Sequence, residues 1–145
     1  MPPLERHPLL RPLSREHHEG LLFCWKLRQG LAKSVGPAQL QQEARETYHA
    51  HLLPHFAIEE EAVFPVLGHG HPLVMQALAE HAKLTAEFLR TDHDERSLFD
   101  LQRQLDDHIR FEERVLFPKV QENASEEQLA YIEQVHGGIA DRSSP

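Results

Sequence analysis

The sequence HFAIEEEAVFP, residues 55–65, recurs almost unchanged as HIRFEERVLFP, residues 108–118. In both stretches a histidine precedes a Glu-Glu pair by four residues, and the stretch ends in an apolar residue, phenylalanine and proline. Such repetition indicates that one structural unit has been used twice. Residues four apart on an α-helix are separated by about 6 Å along the axis and share a face. Two such helices facing each other would bring imidazoles and carboxylates into one interior, which favours a metal site.

The repeat extends upstream of both stretches. Glu16-His17 precedes the first copy, and Glu80-His81 precedes the second copy in the same register. The sequence therefore predicts two helical hairpins. Each hairpin has a first helix with one histidine and a second helix with the His-x3-Glu pair.

Composition and charge limit the possible classes of function. The chain has 145 residues, of which 40% are apolar and 26% charged, and this composition predicts a single globular domain. The formal net charge of -8 disfavours nucleic acid and anionic membranes as partners. The longest apolar stretch, residues 21–25, is too short to span a bilayer, and the N-terminal segment does not have the pattern of an export signal. The single cysteine, Cys24, excludes an internal disulfide and predicts a cytoplasmic protein with Cys24 as a small core residue.

Periodicity predicts an all-α protein, an up-down-up-down four-helix bundle with a short C-terminal helix. We expect an extended arm over residues 1–12, the bundle over 13–122, and a short helix and tail over 123–145. Helical patterns and their boundary residues predict helices over 14–33, 37–67, 72–90 and 96–121, the first with Ser14 as its N-cap. Pro54 should kink the second helix. A capping box formed by Ser125 and Gln128 opens the fifth helix, which we expect to end at Gly137-Gly138.

The predicted inward faces contain polar residues that are costly to bury alone. On the second helix this face comprises Leu52, His55, Glu59 and Val63, and on the fourth it comprises Leu101, Leu105, His108, Glu112 and Val115. His81 also points inward, because leucines and a phenylalanine flank it at helical spacing. On the first helix the choice lies between His17 and His18. His17 is favoured because its helical neighbours are apolar and because it aligns with His81 in the repeat.

The inferred site contains four imidazoles and two carboxylates inside a helical bundle. Nitrogen and oxygen donors without a thiolate suit iron or manganese, whereas a closed four-coordinate zinc site would need fewer ligands. Carboxylates on facing helices can also bridge two metal ions, and bundle interiors are known to hold such two-metal sites. One His-Glu pair could be an ordinary buried hydrogen bond, but two copies with the same spacing favour metal binding.

The doubled motif with its two upstream Glu-His positions resembles the hemerythrin-like family, also called the HHE cation-binding domain, over roughly residues 10–121. The resemblance implies a cofactor of two non-haem iron ions, with or without an oxo or hydroxo bridge. It also implies a small diatomic ligand, oxygen or nitric oxide. Glu59 and Glu112 would be the bridging carboxylates, and terminal imidazoles would come from His17, His55, His81 and His108.

The chain departs from the oxygen-carrying members of that family at one position. Those members have a second histidine one turn after the first on the third helix, and Thr85 stands there in this chain. Water, His18 or His51 could take the vacated position. The second glutamates of the repeat, Glu60 and Glu113, are expected to cap or to hydrogen-bond locally. The alternative is that they bind the metal or hold one of its ligands. The loop histidines at positions 69, 71 and 93 are expected to lie in solvent.

Three functions remain open from the sequence. The leading one is a non-haem iron protein that binds oxygen or nitric oxide as a sensor, scavenger or store. The second is an iron-dependent enzyme that reduces peroxide or nitric oxide, or donates iron for the repair of iron-sulfur clusters, although no catalytic residue is identified. The third is an interaction module with a purely structural metal. The sequence does not fix the oligomeric state.

Overall fold

A computed structural model describes residues 5–143 as five helices without a strand, with side chains described as far as residue 139. We number them α1 to α5 in chain order. Their bounds are α1 Arg11–Ala32, α2 residues 37–66, α3 Pro72–Phe88, α4 residues 95–123 and α5 Glu126–Ser143. The all-helical prediction is confirmed for this part of the chain. None of the helices described is long and apolar enough to cross a membrane.

Helices α2 and α4 contain π-helical turns, which neither the periodicity nor the motifs predicted. In α2 these turns are Tyr48–Leu52 and Glu59–Val63, with α-helix before and between them and a 3₁₀ turn, Phe64–Val66, after them. In α4 one π turn, Glu112–Leu116, separates Glu95–Phe111 from Phe117–Asn123. Two of the three π turns therefore begin at Glu59 and Glu112, the glutamates of the repeated motif.

Proline explains where the three π turns lie. Each turn ends two residues before a proline, at Pro54, Pro65 and Pro118. Proline has no amide hydrogen, and its ring clashes with the carbonyl four residues earlier, so a wider turn relieves the clash without ending the helix. Around Pro54 the backbone keeps helical torsion angles, with φ of -76° at Leu52 and -58° at Leu53. The predicted disturbance at Pro54 therefore takes the form of a π turn within a continuous helix.

Helices α1 and α4 begin before their predicted positions. Helix α1 begins at Arg11, its N-cap is Leu10, and the Ser14 hydroxyl donates a hydrogen bond to Glu113 instead of capping the helix. Pro12 explains the earlier start because its fixed φ suits the first helical turn. Helix α4 starts with a capping box between Asp94 and Ser97.

Helix α5 is longer than expected. The capping box of Ser125 and Gln128 is present, with hydrogen bonds of 2.9 and 3.1 Å in the two directions. The predicted end at Gly137-Gly138 is wrong, because the helix continues to Ser143. Neither of these glycines adopts the positive φ that would end a helix. Helix α5 packs on the bundle through Leu129 and Ile132, which are both buried.

The apolar core divides into two clusters with a polar layer between them. One cluster contains residues such as Leu27, Phe88, Leu98 and Leu101. The other contains residues such as Leu13, Phe64, Phe117 and Ile132. Cys24 is buried in the first cluster, as predicted.

Val115 was predicted to face inward, and that prediction is wrong. Val115 is 45% exposed, whereas its neighbour Leu116 is fully buried. The π turn that begins at Glu112 adds one residue to the helical turn, and the inward position therefore moves from Val115 to Leu116.

Candidate metal centre

The structure brings all six sequence-predicted site residues into one buried cluster. Each histidine side chain is 2–4% exposed, and both glutamates are fully buried. Helix α1 contributes His17 and α3 contributes His81. Helix α2 contributes His55 with Glu59, and α4 contributes His108 with Glu112. The alternative on the first helix, His18, is exposed and lies outside the cluster.

The six residues form two overlapping groups. One group is His17, His55, Glu59 and Glu112, and the other is Glu59, His81, His108 and Glu112. Within each group, one nitrogen or oxygen atom from every residue lies within 4.8 Å of the others. Both glutamates belong to both groups. The arrangement therefore offers two cation positions that share the same pair of carboxylates.

Each histidine directs its Nε2 atom at the two inner glutamates. The Nε2 atoms of His17 and His108 lie 2.9 and 3.3 Å from Oε1 of Glu112. The Nε2 atoms of His55 and His81 lie 3.3 and 3.1 Å from carboxylate oxygens of Glu59. The four imidazoles therefore converge on the two carboxylates from four helices.

A second set of carboxylates holds the opposite side of each imidazole ring. Glu113 accepts from Nδ1 of His17 at 2.7 Å, and Glu16 accepts from Nδ1 of His55 at 2.8 Å. The other two contacts follow the same rule, Glu60 with His81 at 2.8 Å and Glu80 with His108 at 2.7 Å. We call Glu16, Glu60, Glu80 and Glu113 the outer carboxylates.

The outer carboxylates correct the sequence interpretation. Glu60 and Glu113 do not bond locally, as first expected, but each reaches a histidine on a different helix, which is the alternative role of holding a metal ligand. In the sequence, Glu16 and Glu80 stand out only as markers of the repeat. Their fixed position before His17 and His81 was the available signal, although their partners, His55 and His108, lie on the following long helices.

The outer carboxylates also fix the tautomer of the histidines. A carboxylate accepts a hydrogen bond, so the Nδ1 atom of each ring carries a proton and donates it. When the ring is neutral, its Nε2 atom then carries a lone pair that points at the inner glutamates, where a cation could accept it. Metal-binding histidines in proteins are commonly held in this way by a carboxylate on the far side of the ring.

Several polar atoms at the centre are buried without a hydrogen bond from any described residue. They are Nε2 of His55, His81 and His108, both carboxylate oxygens of Glu59, and Oε2 of Glu112. Burial of unpaired polar atoms is costly, and burial of unpaired charge costs more. A cation bound between them would satisfy these atoms together. The donor set of imidazole and carboxylate without thiolate fits iron or manganese.

Without a metal, charge within the cluster raises the pKa of the histidines. Burial alone lowers the pKa of His55, but the charge of Glu59 and a hydrogen bond to Glu16 outweigh burial and raise it to about 10. The balance between burial and the surrounding carboxylates also raises the pKa of His81 to about 11 and that of His108 to about 9. The pKa of His17 is raised as well. Burial raises the pKa of Glu112, but the neighbouring histidines outweigh it and hold this pKa well below its usual range.

Thr85 has a partner of its own outside the cluster. The hydroxyl of Tyr48 donates a hydrogen bond to the Thr85 hydroxyl over 3.1 Å. His51, like His18, is exposed, and neither belongs to the two donor groups. His18 and His51 therefore do not replace the histidine that the oxygen-carrying members have at the position of Thr85.

Two of the three loop histidines do not simply lie in solvent. His93 is 9% exposed and contacts the Ser97 hydroxyl and the Glu87 carbonyl. His71 accepts a hydrogen bond from the amide of Leu73 and caps α3. His69 is exposed, as expected.

A comparison with protein families agrees with this geometry. The family model of the hemerythrin HHE cation-binding domain matches residues 9–120. The chain belongs to the hemerythrin HHE cation-binding family. No match to the chain was found among curated proteins or among solved structures.

The segment matched to the hemerythrin family contains both donor groups and all four outer carboxylates, whereas α5 lies beyond it. Helix α5 nevertheless reaches the centre indirectly. Nε2 of His136 lies 2.7 Å from Oε2 of Glu16, whose other oxygen binds the ring of His55. This element outside the family match therefore contacts one of the outer carboxylates.

Proposed function

We propose that the chain is a non-haem di-iron protein that binds a diatomic ligand, oxygen or nitric oxide, as a sensor, scavenger or store. The observation that carries this proposal is the pair of donor groups that share Glu59 and Glu112. Membership of a cation-binding family supports it. In this proposal Glu59 and Glu112 would hold both ions, and each of the four imidazoles would hold one of them through Nε2.

The residues of the chain would prepare the centre before any ligand arrives. The outer carboxylates orient the imidazoles, and the two apolar clusters cover the polar layer from two sides. Aromatic rings add to this shield, because Phe117 stacks on His17 with a centroid distance of 5.2 Å and Phe64 lies 5.3 Å from His81. When bound, iron supplies an oxidisable centre with affinity for diatomic molecules.

Two finer features belong to the same proposal. We infer that the four long helices α1 to α4 alternate in direction around the centre, which places a donor from each helix in one layer. We also place the protein in the cytoplasm, because its single cysteine is free and a reducing compartment suits it.

An absorption spectrum tests this function. Aerobically purified, iron-loaded protein should absorb in the near ultraviolet, and this absorption should change after reduction and exposure to oxygen or nitric oxide. The zinc-loaded protein is the matched control, because zinc has no redox chemistry and should give no such band. An iron-loaded protein whose spectrum neither gas alters would contradict the diatomic-ligand function.

A further inference from the structure

The two halves of the repeat differ beside the metal centre. The residue after the long-helix histidine is Phe56 in the first half and Ile109 in the second. The residue three positions after the upstream histidine is Gly20 in the first half and Leu84 in the second. Around His81, the ring of Phe56 stacks on the imidazole with a centroid distance of 3.8 Å, and Leu84 is buried.

Around His17 the corresponding pair is smaller. Ile109 approaches the backbone of Gly20 so closely that a Cβ atom on Gly20 would lie 2.7 Å from Cδ1 of Ile109. An isoleucine and a glycine thus replace a phenylalanine and a leucine. The side of the centre formed by His17 therefore has less side-chain volume than the side formed by His81.

A cavity of about 300 Å³ lies on the smaller side. His17, His55 and His108 line its inner end. Its apolar lining includes Gly20, Leu52, Phe56, Leu105, Ile109 and Ile139. Among the described residues, none that lines the cavity belongs to α3, the helix of His81.

Helix α5 forms part of the outer wall of this cavity. Ile139 of α5 lines it, and the contact of His136 with Glu16 holds the helix against α1 beside it. Because α5 lies outside residues 9–120, this wall is a feature of the present chain that the family match does not include.

The size of the cavity exceeds what a diatomic molecule requires. A water molecule occupies about 30 Å³ in the liquid, and a diatomic molecule is of similar size. Pockets for organic ligands start at about 300 Å³ and are mostly apolar with a few polar groups. The cavity fits this second class in both volume and lining.

The lining also indicates the charge of the occupant. Glu16 already has two partners, His55 and His136. Glu19 and His51 also line the cavity, and both are exposed at its rim. Two metal ions at the inner end would already face the two inner glutamates and the four outer carboxylates. A charged group within the cavity would therefore lie among apolar side chains, away from the charged rim, which is costly. An uncharged molecule with an apolar body and one hydroxyl-type oxygen avoids that cost and can place its oxygen towards the histidines.

We propose that this cavity binds a small uncharged organic molecule, with an apolar body and a single oxygen donor, directly beside the metal centre. The proposal deepens the function proposed above and rests on it for the identity of the metal. The smaller volume of the pair Gly20 and Ile109 leaves the space, and Ile139 of α5 closes one side of it.

The test uses straight-chain primary alcohols from methanol to hexanol as probes. Dissociation constants are measured by calorimetry on the full chain loaded with iron. Each methylene buried in the cavity should tighten binding about fourfold, until the chain length exceeds the cavity. Metal content is determined on the same samples, so that a failure to load iron is recorded separately from a failure to bind alcohol.

Three variants locate the binding site. Ile109→Phe places on the His17 side the aromatic residue that Phe56 provides on the His81 side. This change should weaken butanol binding at least tenfold. Ala50→Trp, a change at the exposed rim, should also weaken it and does not overpack the core. Val115→Phe is the matched control on α4, because Val115 is exposed and does not line the cavity.

The possible results separate the two proposals. A methylene gradient that both cavity variants abolish, with Val115→Phe unchanged, supports the pocket. Iron-loaded protein that shows no gradient, or one that persists in both Ile109→Phe and Ala50→Trp, overturns the pocket and leaves the di-iron function intact. A chain that holds no iron but keeps the gradient overturns the di-iron function and leaves the pocket intact.

Discussion

Each histidine of the centre is held from both sides by glutamate. His17, for example, lies between Glu112, 2.9 Å from its Nε2 atom, and Glu113, 2.7 Å from its Nδ1 atom. Adjacent glutamates on one helix thus serve opposite sides of one ring. The same division of roles recurs for Glu59 and Glu60 around His81, and the Glu-Glu pair of the motif therefore has a physical reason in both copies.

The inner glutamates should be the most sensitive positions for metal retention. Glu59→Ala or Glu112→Ala removes a shared donor and leaves buried positive charge without compensation. We expect either variant to retain much less iron than His69→Ala, a control in an exposed loop. Elemental analysis after identical iron loading measures this, and equal iron content in all three variants would refute the assignment.

The outer carboxylates should affect metal affinity without being ligands themselves. Glu60→Gln keeps the size of the side chain but weakens its hold on the Nδ1 proton of His81. Loss of such a partner typically lowers metal affinity by about 10–100-fold. Glu61→Gln is the matched control, because Glu61 is the adjacent residue and contacts the Tyr131 hydroxyl on the surface. Titration with a competing chelator compares the two variants, and equal affinity would show that Glu60 does not position the ring.

At the scale of single elements, π turns and prolines shape the two helices that carry His-Glu pairs. The sequence predicted these helices and their inward residues as far as Glu112, because a 3.6-residue period holds up to that point. It could not predict the burial of Leu116 in place of Val115, because the π turn changes the period within the helix. The partners of the outer carboxylates were also hidden, since they join different helices and leave no spacing pattern along the chain.

Helix α5 should contribute to stability through its buried side chains, of which Ile132 is the more deeply buried. Ile132 is fully buried in the cluster with Leu13 and Phe117. Ile132→Ala should therefore lower the free energy of unfolding by about 2–5 kcal/mol. Chemical denaturation measures the loss, and Glu133→Ala, an exposed neighbour, is the control. If the two variants had equal stability, α5 would not be docked on the bundle as described.

At the scale of the whole molecule, a layer of ionisable groups crosses an otherwise apolar bundle. Without metal, the histidine pKa values are higher in the folded chain than in the unfolded chain, because His⁺-Glu⁻ contacts stabilise the fold. This stabilisation is fully present below the unfolded histidine pKa of about 6.5. It is lost as pH rises through about 9–11. The pKa of Glu112 is lowered in the folded chain, so the stability that its ionised carboxylate contributes is lost as pH falls. The metal-free protein should therefore fold and be most stable between these limits.

Metal binding should compete with these protons. The metal requires neutral Nε2 atoms, and it stabilises the fold because it binds the folded chain in preference to the unfolded chain. The melting temperature of the metal-loaded protein should exceed that of the chelator-treated protein at pH 7.5, and the difference should shrink near pH 5. Thermal unfolding at both pH values measures this. A difference that is absent at pH 7.5, or that does not shrink on acidification, would exclude a metal site built from these histidines.

The central claim is that four histidines and two shared glutamates hold two metal ions. The most direct measurement is the iron content of the folded chain after expression with added iron, determined by elemental analysis against protein concentration. Because Glu59 and Glu112 belong to both donor groups, we expect a value approaching two irons per chain. A value of one iron per chain, or of one zinc and no iron, would contradict it.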